Sequence, residues 1–184
     1  MTAAIILAAG SGRRMGGPKA LLRVGDGTLL RRAAQAALDA GCAPVLAVVG
    51  DWDPGIADLE VRTLINPEAA EGMASSLRAG IAALPPDAEA ALILTVDQPA
   101  VDATLLRRLL ALATAEPARP AACAYASTLG IPAVLPRRLF PDLLALRGDR
   151  GAKAILLREN PAVLPFPGGE ADLDTPEDLE RPRR

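Results

Sequence analysis

Apolar residues along this chain gather in short, mostly unbroken runs. Ala3–Leu7, Val45–Val49, Val61–Ile65, Ala90–Val96, Ala121–Tyr125 and Ala162–Phe166 each have strand length. They do not alternate strictly with polar residues, the pattern of strands covered on both faces. Segments of helical period lie between them: Leu29–Ala40, Met73–Leu84, Asp102–Thr114, Leu139–Leu146 and Ala152–Arg158. Punctuation residues support these boundaries. Gly41 is placed to end the first helix, Pro85-Pro86 stops the second, and Asp102 is placed as the N-cap of the third. Thr175-Pro176 opens a last short helix, with proline at its first position. Strand alternating with helix predicts βαβ units, and hence a three-layer α/β/α architecture around a mainly parallel twisted sheet.

Composition narrows the picture. A length of 184 residues suits a single domain, 1–184, and 51% hydrophobic residues give it a full core. Aromatics are only 2%, so Ala, Leu, Val and Ile must build that core. The net charge of −2 argues against a nucleic-acid surface, which needs a basic face. The chain has no histidine, which removes histidine triads and histidine-ligated zinc. Cys42 and Cys123 have no metal-ligand spacing and read as buried free thiols of a cytoplasmic protein. No apolar stretch is long enough for a leader or a membrane span. Of 20 basic residues only Lys19 and Lys153 are lysine, a hint that a compact ammonium matters where they stand.

The loop after the first strand carries the first candidate chemistry. Gly10-Ser11-Gly12-Arg13-Arg14-Met15-Gly16-Gly17-Pro18-Lys19 is glycine-rich and cationic. In a parallel sheet, ligands bind beyond the carboxyl ends of the strands, which is where this loop begins. A dinucleotide fingerprint fails here because Met15 stands where the third glycine is needed, and Arg13-Arg14 would crowd the pyrophosphate. A phosphate-binding P-loop fails because Pro18 precedes Lys19 and Ala20 replaces the hydroxyl residue. What survives is a loop whose backbone amides can face an anion, with Arg13, Arg14 and Lys19 supplying charge. A solvated surface turn has the same composition.

Five further stretches carry polar chemistry. Asp97-Gln98-Pro99 ends an apolar strand, where a carboxylate can hold Mg²⁺ or open a turn. Asp172 and Asp174 are two residues apart, so on an extended segment they share a side; Asp172 is the candidate second ligand and Asp174 a helix N-cap, though either can serve. Asn66-Pro67 and then Gly72-Met73-Ala74-Ser75-Ser76 precede a helix. Gly72 permits close backbone approach, and the serines can cap the helix or face a ligand. Gly130-Ile131-Pro132-Ala133 and Gly148-Asp149-Arg150-Gly151-Ala152-Lys153 belong to the second half. The latter can seat a second phosphate through Arg150 or Lys153, or be a turn capped by Asp149.

Read in order, Leu7-Ala8-Ala9-Gly10-x-Gly12-x-Arg14-Met15-Gly16 followed by Lys19 resembles the signature loop of nucleotidyltransferases with a Rossmann-like, GT-A-like fold. Together with the stretches at Asn66–Ser76, Asp97–Pro99, Gly130–Ala133 and Gly148–Lys153, the chain looks most like molybdenum-cofactor cytidylyltransferases and their close relatives. The resemblance implies an enzyme that moves a nucleoside monophosphate from a triphosphate to a phosphate-bearing acceptor such as molybdopterin, releasing pyrophosphate. It implies Mg²⁺ as cofactor, on Asp97 and Asp172, and Lys19, Arg14 and Asp97 as catalytic residues. Leu7, Ala8, Ala9, Gly10, Gly12, Arg13, Arg14, Lys19, Asn66, Gly72, Ser75 and Ser76 would bind the nucleotide, with Ser76 at the base. Gly130, Pro132, Arg150 and Lys153 would bind the acceptor. The guanylyltransferase branch usually carries Leu-Ala-Gly-Gly and an aspartate before the lysine. This chain has Leu7-Ala8-Ala9-Gly10 and Pro18-Lys19, which favours CTP over GTP. A recipient molybdoenzyme or a chaperone is the implied further partner, with no nucleic acid and no membrane. Transfer to a sugar or polyol phosphate, glycosyl transfer from a nucleotide sugar, and non-catalytic cofactor delivery are the competing readings.

Overall fold

The computed structural model describes residues 1–10, 12 and 17–169. Its centre is a seven-stranded sheet built from β1 (Thr2–Leu7), β4 (Val45–Val49), β5 (Val61–Ile65), β6 (Ala90–Thr95), β7 (Ala121–Tyr125), β8 (Thr128–Pro136) and β9 (Ala162–Pro165). The strand order is β5-β4-β1-β6-β8-β7-β9. A small ribbon, β2 (Arg23–Val24) and β3 (Gly27–Thr28), stands apart from it. The helices are α1 (Leu29–Asp39), α2 (Met73–Ala82), α3 (Ala103–Ala115), α4 (Phe140–Leu144) and α5 (Lys153–Glu159). None of the described helices is long and apolar enough to cross a membrane.

The buried strands explain the unbroken apolar runs. In β1, Ala4 and Ile6 pack with residues of α1 and α3, while Ile5 and Leu7 pack with α2, α4 and α5. Successive side chains of a strand point to opposite faces, so a strand with helices on both sides must be apolar at every position. This is the expected three-layer α/β/α arrangement. The caps predicted for the end of α1 and the start of α3 hold. The Asp102 carboxylate accepts a hydrogen bond from the Leu105 amide at 2.8 Å, and Gly41 follows the end of α1 with φ of 87°.

β8 is the element that sequence reasoning missed. It runs antiparallel to both β6 and β7, whereas β1, β4, β5 and β6 are mutually parallel. Gly130, Pro132 and Pro136 interrupt its apolar pattern, and proline cannot donate to a ladder. The structure accommodates them with a bulge. Cys123 pairs with Gly130 and Ala122 with Ala133, so Ile131 and Pro132 are looped out. The predicted helix over 139–146 is also shorter, because a 3₁₀ turn occupies Arg137–Leu139. The last predicted helix lies outside the described residues.

Candidate active site

Strand register brings the first two motifs together. β1 and β6 are parallel neighbours with Leu7 opposite Thr95, so the glycine-rich loop and Asp97 leave the sheet side by side. Ala8 continues the order beyond β1, its amide donating to the Val48 carbonyl at 2.8 Å. Further along, Gly12 has φ of +54°, and a Cβ there would lie 1.9 Å from the Gly17 carbonyl oxygen. Only glycine lets the loop close on itself at that point. Pro18 leads into a 3₁₀ turn over Lys19–Leu21, and Ala20 is buried in the core. Lys19 is thus pinned on both sides, and its Nζ stands 3.8 Å from Asp97 Oδ2.

The second wall comes from the start of α2. Gly72 is its N-cap residue, with φ of 120°. Neither serine caps the helix, because both already lie inside its first turn. Instead, Asn66, buried behind them, organises both. Its Oδ1 accepts from the Glu68 amide at 3.0 Å, which fixes the orientation of the side-chain amide. Its Nδ2 donates to Ser75 Oγ at 2.9 Å and to Ser76 Oγ at 3.0 Å. The Ser75 hydroxyl donates to the Gly72 carbonyl at 2.8 Å. Ser76 is buried and lines the cavity, and its hydroxyl keeps a proton of its own to donate.

These elements enclose one cavity of about 560 Å³. Leu7, Ala8, Ala9, Gly10, Gly12, Lys19, Gly72, Ser76 and Asp97, all named from sequence, line it. Asn66 and Ser75 stand behind the wall. Arg13, Arg14 and Asp172 lie outside the described residues. Gly130, Pro132, Arg150 and Lys153 do not line the cavity. Gly130 makes room for an aromatic ring, since a Cβ there would meet Tyr125 Oη at 2.3 Å. Arg150 and Lys153 are exposed.

Sequence reasoning missed Ala69, Ala70, Met73, Thr95 and, above all, Asp149 among the lining residues. Capping by Asp149 is one of the two sequence readings of the Gly148–Lys153 turn. The N-cap of α5 is Ala152, which makes no side-chain cap bond, because the helix begins only at Lys153. Asp149 is instead carried to the mouth of α2. The signal was present in the glycines that flank the turn, but its target was 70-odd residues away in sequence.

Among the described residues no three of His, Cys, Asp and Glu come together as a metal cage. Magnesium does not need one: one or two carboxylates, phosphate oxygens and water complete its shell. Asp97 lines the cavity with a hard oxygen donor, and no thiolate or imidazole stands among the described lining residues. The two thiols are remote from this chemistry. Burial pushes Cys42 up to about 11 and Cys123 up to about 12, so both are neutral at physiological pH.

A loop, a lysine and a carboxylate thus converge beyond the carboxyl ends of parallel strands, the place where α/β sheets bind ligands. The chain belongs to the MobA-like NTP transferase domain family, whose model matches residues 4–163. It is 35% identical over 196 residues to the nicotine blue oxidoreductase of Paenarthrobacter nicotinovorans, covering 96% of this chain and 94% of that protein. Its fold matches Rv0371c of Mycobacterium tuberculosis H37Rv with a TM-score of 0.83 and 28% identity, covering 98% and 96% of the two chains. A structure of that mycobacterial protein in complex with manganese matches with a TM-score of 0.77 and 27% identity, over 98% and 96%.

Proposed function

We propose that the protein transfers a nucleoside monophosphate, CMP from CTP, to a phosphate-bearing acceptor of the molybdopterin type, and that residues 1–184 act as one domain. The observation that carries this reading is the meeting of Lys19 and Asp97, 3.8 Å apart, inside a cavity that continues to Ser76. A triphosphate and its counter-cation need one cationic and one anionic group side by side, and a nucleoside needs room beyond them. In the reaction, an ionised acceptor oxygen attacks the α-phosphorus. A new P–O bond forms, the bond to the α–β bridging oxygen breaks, and the electron pair leaves with pyrophosphate. No histidine base is required for an oxygen that is already ionised.

Asp97 would hold a divalent ion, with Asp172 as its candidate partner. That ion supplies charge neutralisation on the phosphate oxygens. The manganese complex of the mycobacterial relative supports a divalent site in this family. Lys19 orients the phosphates and offsets charge that builds on the leaving group. The loop amides around Gly10 and Gly12 hold the same anion, and Ser76 donates toward the base. Gly130, Pro132, Arg150 and Lys153 stay assigned to the acceptor.

The test is pyrophosphate release with CTP, GTP, ATP and UTP, each with Mg²⁺ and a panel of phosphate-bearing acceptors. Release with CTP and molybdopterin is the expected result. Release only with sugar or polyol phosphates would move the acceptor assignment, and binding without release would favour a delivery role. The nicotine blue oxidoreductase, 35% identical to this chain, favours a second reading, as an oxidoreductase. Met15 breaks the dinucleotide fingerprint that such a reading invites. Consumption of a nicotinamide cofactor with no pyrophosphate release from any triphosphate would establish it.

A further inference from the structure

The cavity contains a carboxylate that the transfer reaction does not use. Asp149 lies on the turn before α5, yet it lines the cavity beside Gly72 and Ser76. Its Oδ1 sits where a side chain on Gly72 would have to be, 2.3 Å from the Cβ position. The turn is fastened there from several directions. The Ala74 amide donates to the Gly148 carbonyl at 3.0 Å, and the Gly148 amide donates to Glu71 Oε1 at 3.3 Å. Arg78 Nη1 donates to Glu71 Oε1 at 2.8 Å and to the Leu146 carbonyl at 2.9 Å. Its other nitrogen bonds the second Glu71 oxygen, a two-point fork that fixes direction as well as distance. Glu71 and Arg78 therefore join the segment that leads into α2 to the segment that carries Asp149.

Among the described residues, none hydrogen-bonds or ion-pairs with the Asp149 carboxylate. It stands at the amino end of the ten-residue α2, where the helix dipole favours negative charge. A phosphate brought against it would set two anions together. What suits an ionised carboxylate is a hydrogen-bond donor, since it can only accept. The anionic part of a nucleotide has its place at Lys19 and the loop amides, so the part that reaches Asp149 is the nucleoside.

Building on the nucleotide-transfer reading, we propose that Asp149 is a specificity-determining residue that accepts a hydrogen bond from a donor group of the bound nucleoside, a ribose hydroxyl or an exocyclic amine. Glu71 and Arg78 are the positioning residues that hold it there. This gives the Gly148–Lys153 turn a role in reading the nucleotide that is separate from the acceptor contacts assigned to Arg150 and Lys153.

The test is the dissociation constant, measured by calorimetry with Mg²⁺ and no acceptor, for CTP, 2′-deoxy-CTP, 3′-deoxy-CTP and UTP. Asp149→Ala should weaken CTP about tenfold to a hundredfold, the span of a hydrogen bond to a charged group. One analogue, the one that lacks the donor, should bind the wild type and Asp149→Ala equally. A deoxy analogue in that position identifies the ribose, and UTP identifies the amine. Arg78→Leu should weaken CTP in the wild-type background and add nothing in the Asp149→Ala background. Thermal melting of each variant reports whether it is folded. Unchanged or tighter CTP binding by Asp149→Ala overturns the proposal, as does an equal loss for all four nucleotides. If the wild type binds none of them, the cytidine-transfer reading itself falls.

Discussion

The substitution Asn66→Asp is nearly isosteric but removes both protons that position 66 gives to the serines. In the native protein the Asn66 amide gives one proton to each serine oxygen, at 2.9 and 3.0 Å. Ser75 then spends its own proton on the Gly72 carbonyl, and Ser76 keeps its proton for the cavity. A carboxylate at position 66 can only accept, so the Ser76 proton turns inward toward it. The contact with Glu68 N–H survives, because it already uses an oxygen. The expected loss in CTP affinity is that of one neutral hydrogen bond, about 0.5–1.5 kcal/mol, or roughly two- to tenfold. Stability should fall by about 1–3 kcal/mol, since buried donors and acceptors no longer match. Position 66 is only 5% exposed, so burial raises the pKa of the new carboxyl. Once protonated, it again has one proton to give, and affinity should partly return as the pH is lowered. Calorimetric titration of CTP from pH 5 to 8, with urea denaturation alongside, measures both effects. Ser76→Ala should cost affinity in the wild-type background and nothing further in Asn66→Asp. An equal cost in both backgrounds would refute the claim that Asn66 aims the Ser76 proton.

Three other outcomes follow from the geometry. Lys19→Ala should lower turnover by roughly 10²–10³, the scale of losing one group that stabilises developing negative charge, and stopped-flow measurement of pyrophosphate release checks it. Gly72→Ala should destabilise the fold by at least about 1–3 kcal/mol, because φ of 120° is a region reserved for glycine and the new Cβ would meet Gly148 backbone atoms at 2.7 Å; an unchanged urea midpoint would contradict this. The hydrogen bonds from Arg78, and then from the Gly148 amide, hold the Glu71 carboxyl at about 2, below its ordinary 4.5. A lowered carboxyl pKa stabilises the folded state above the unfolded value and ceases to do so as pH falls through the folded one. The stability gap between wild type and Glu71→Gln should therefore be widest above about pH 4.5 and close toward about pH 2 in acid-denaturation series.

Much of this architecture is legible in the chain because burial on both faces of a strand leaves a local signature. β1, β4, β6 and β7 are apolar runs for that reason, and their ends are marked by glycine, proline or aspartate. β8 is illegible for a complementary reason: its pairing is set by neighbours on both sides, and the bulge at Ile131-Pro132 absorbs residues that a regular ladder would reject. The candidate site divides in the same way. The loop, Asp97 and the serines each sit at the end of a local element, so their motifs point to them. Asp149 reaches the cavity only through tertiary contacts, such as the bond from Ala74 to Gly148. A glycine-flanked aspartate before a helix has the composition of a cap, and nothing local distinguishes the two uses. The serines were ambiguous for the same reason, until Asn66 and Gly72 showed where their hydroxyls are engaged.

The reversed direction of β8 has a consequence for how an acceptor reaches the nucleotide. Because β8 is antiparallel to β6, its early residues, Gly130–Pro132, lie at the sheet end where β6 delivers Asp97. The ladder between these strands stops at Ile93 and Ala133, so Leu94 and Thr95 are unpaired on that side. The other side of β6 is paired with β1 as far as Thr95 and Leu7, and there the loop bearing Lys19 begins. Asp97 thus stands between a flank closed by β1, beside Lys19, and an open flank beside the bulge. In-line displacement needs the nucleophile and the leaving group on opposite sides of the phosphorus. On the proposed transfer reading, an acceptor entering over Gly130–Pro132 would meet that requirement. This supports keeping those residues with the acceptor, although they do not line the nucleotide cavity.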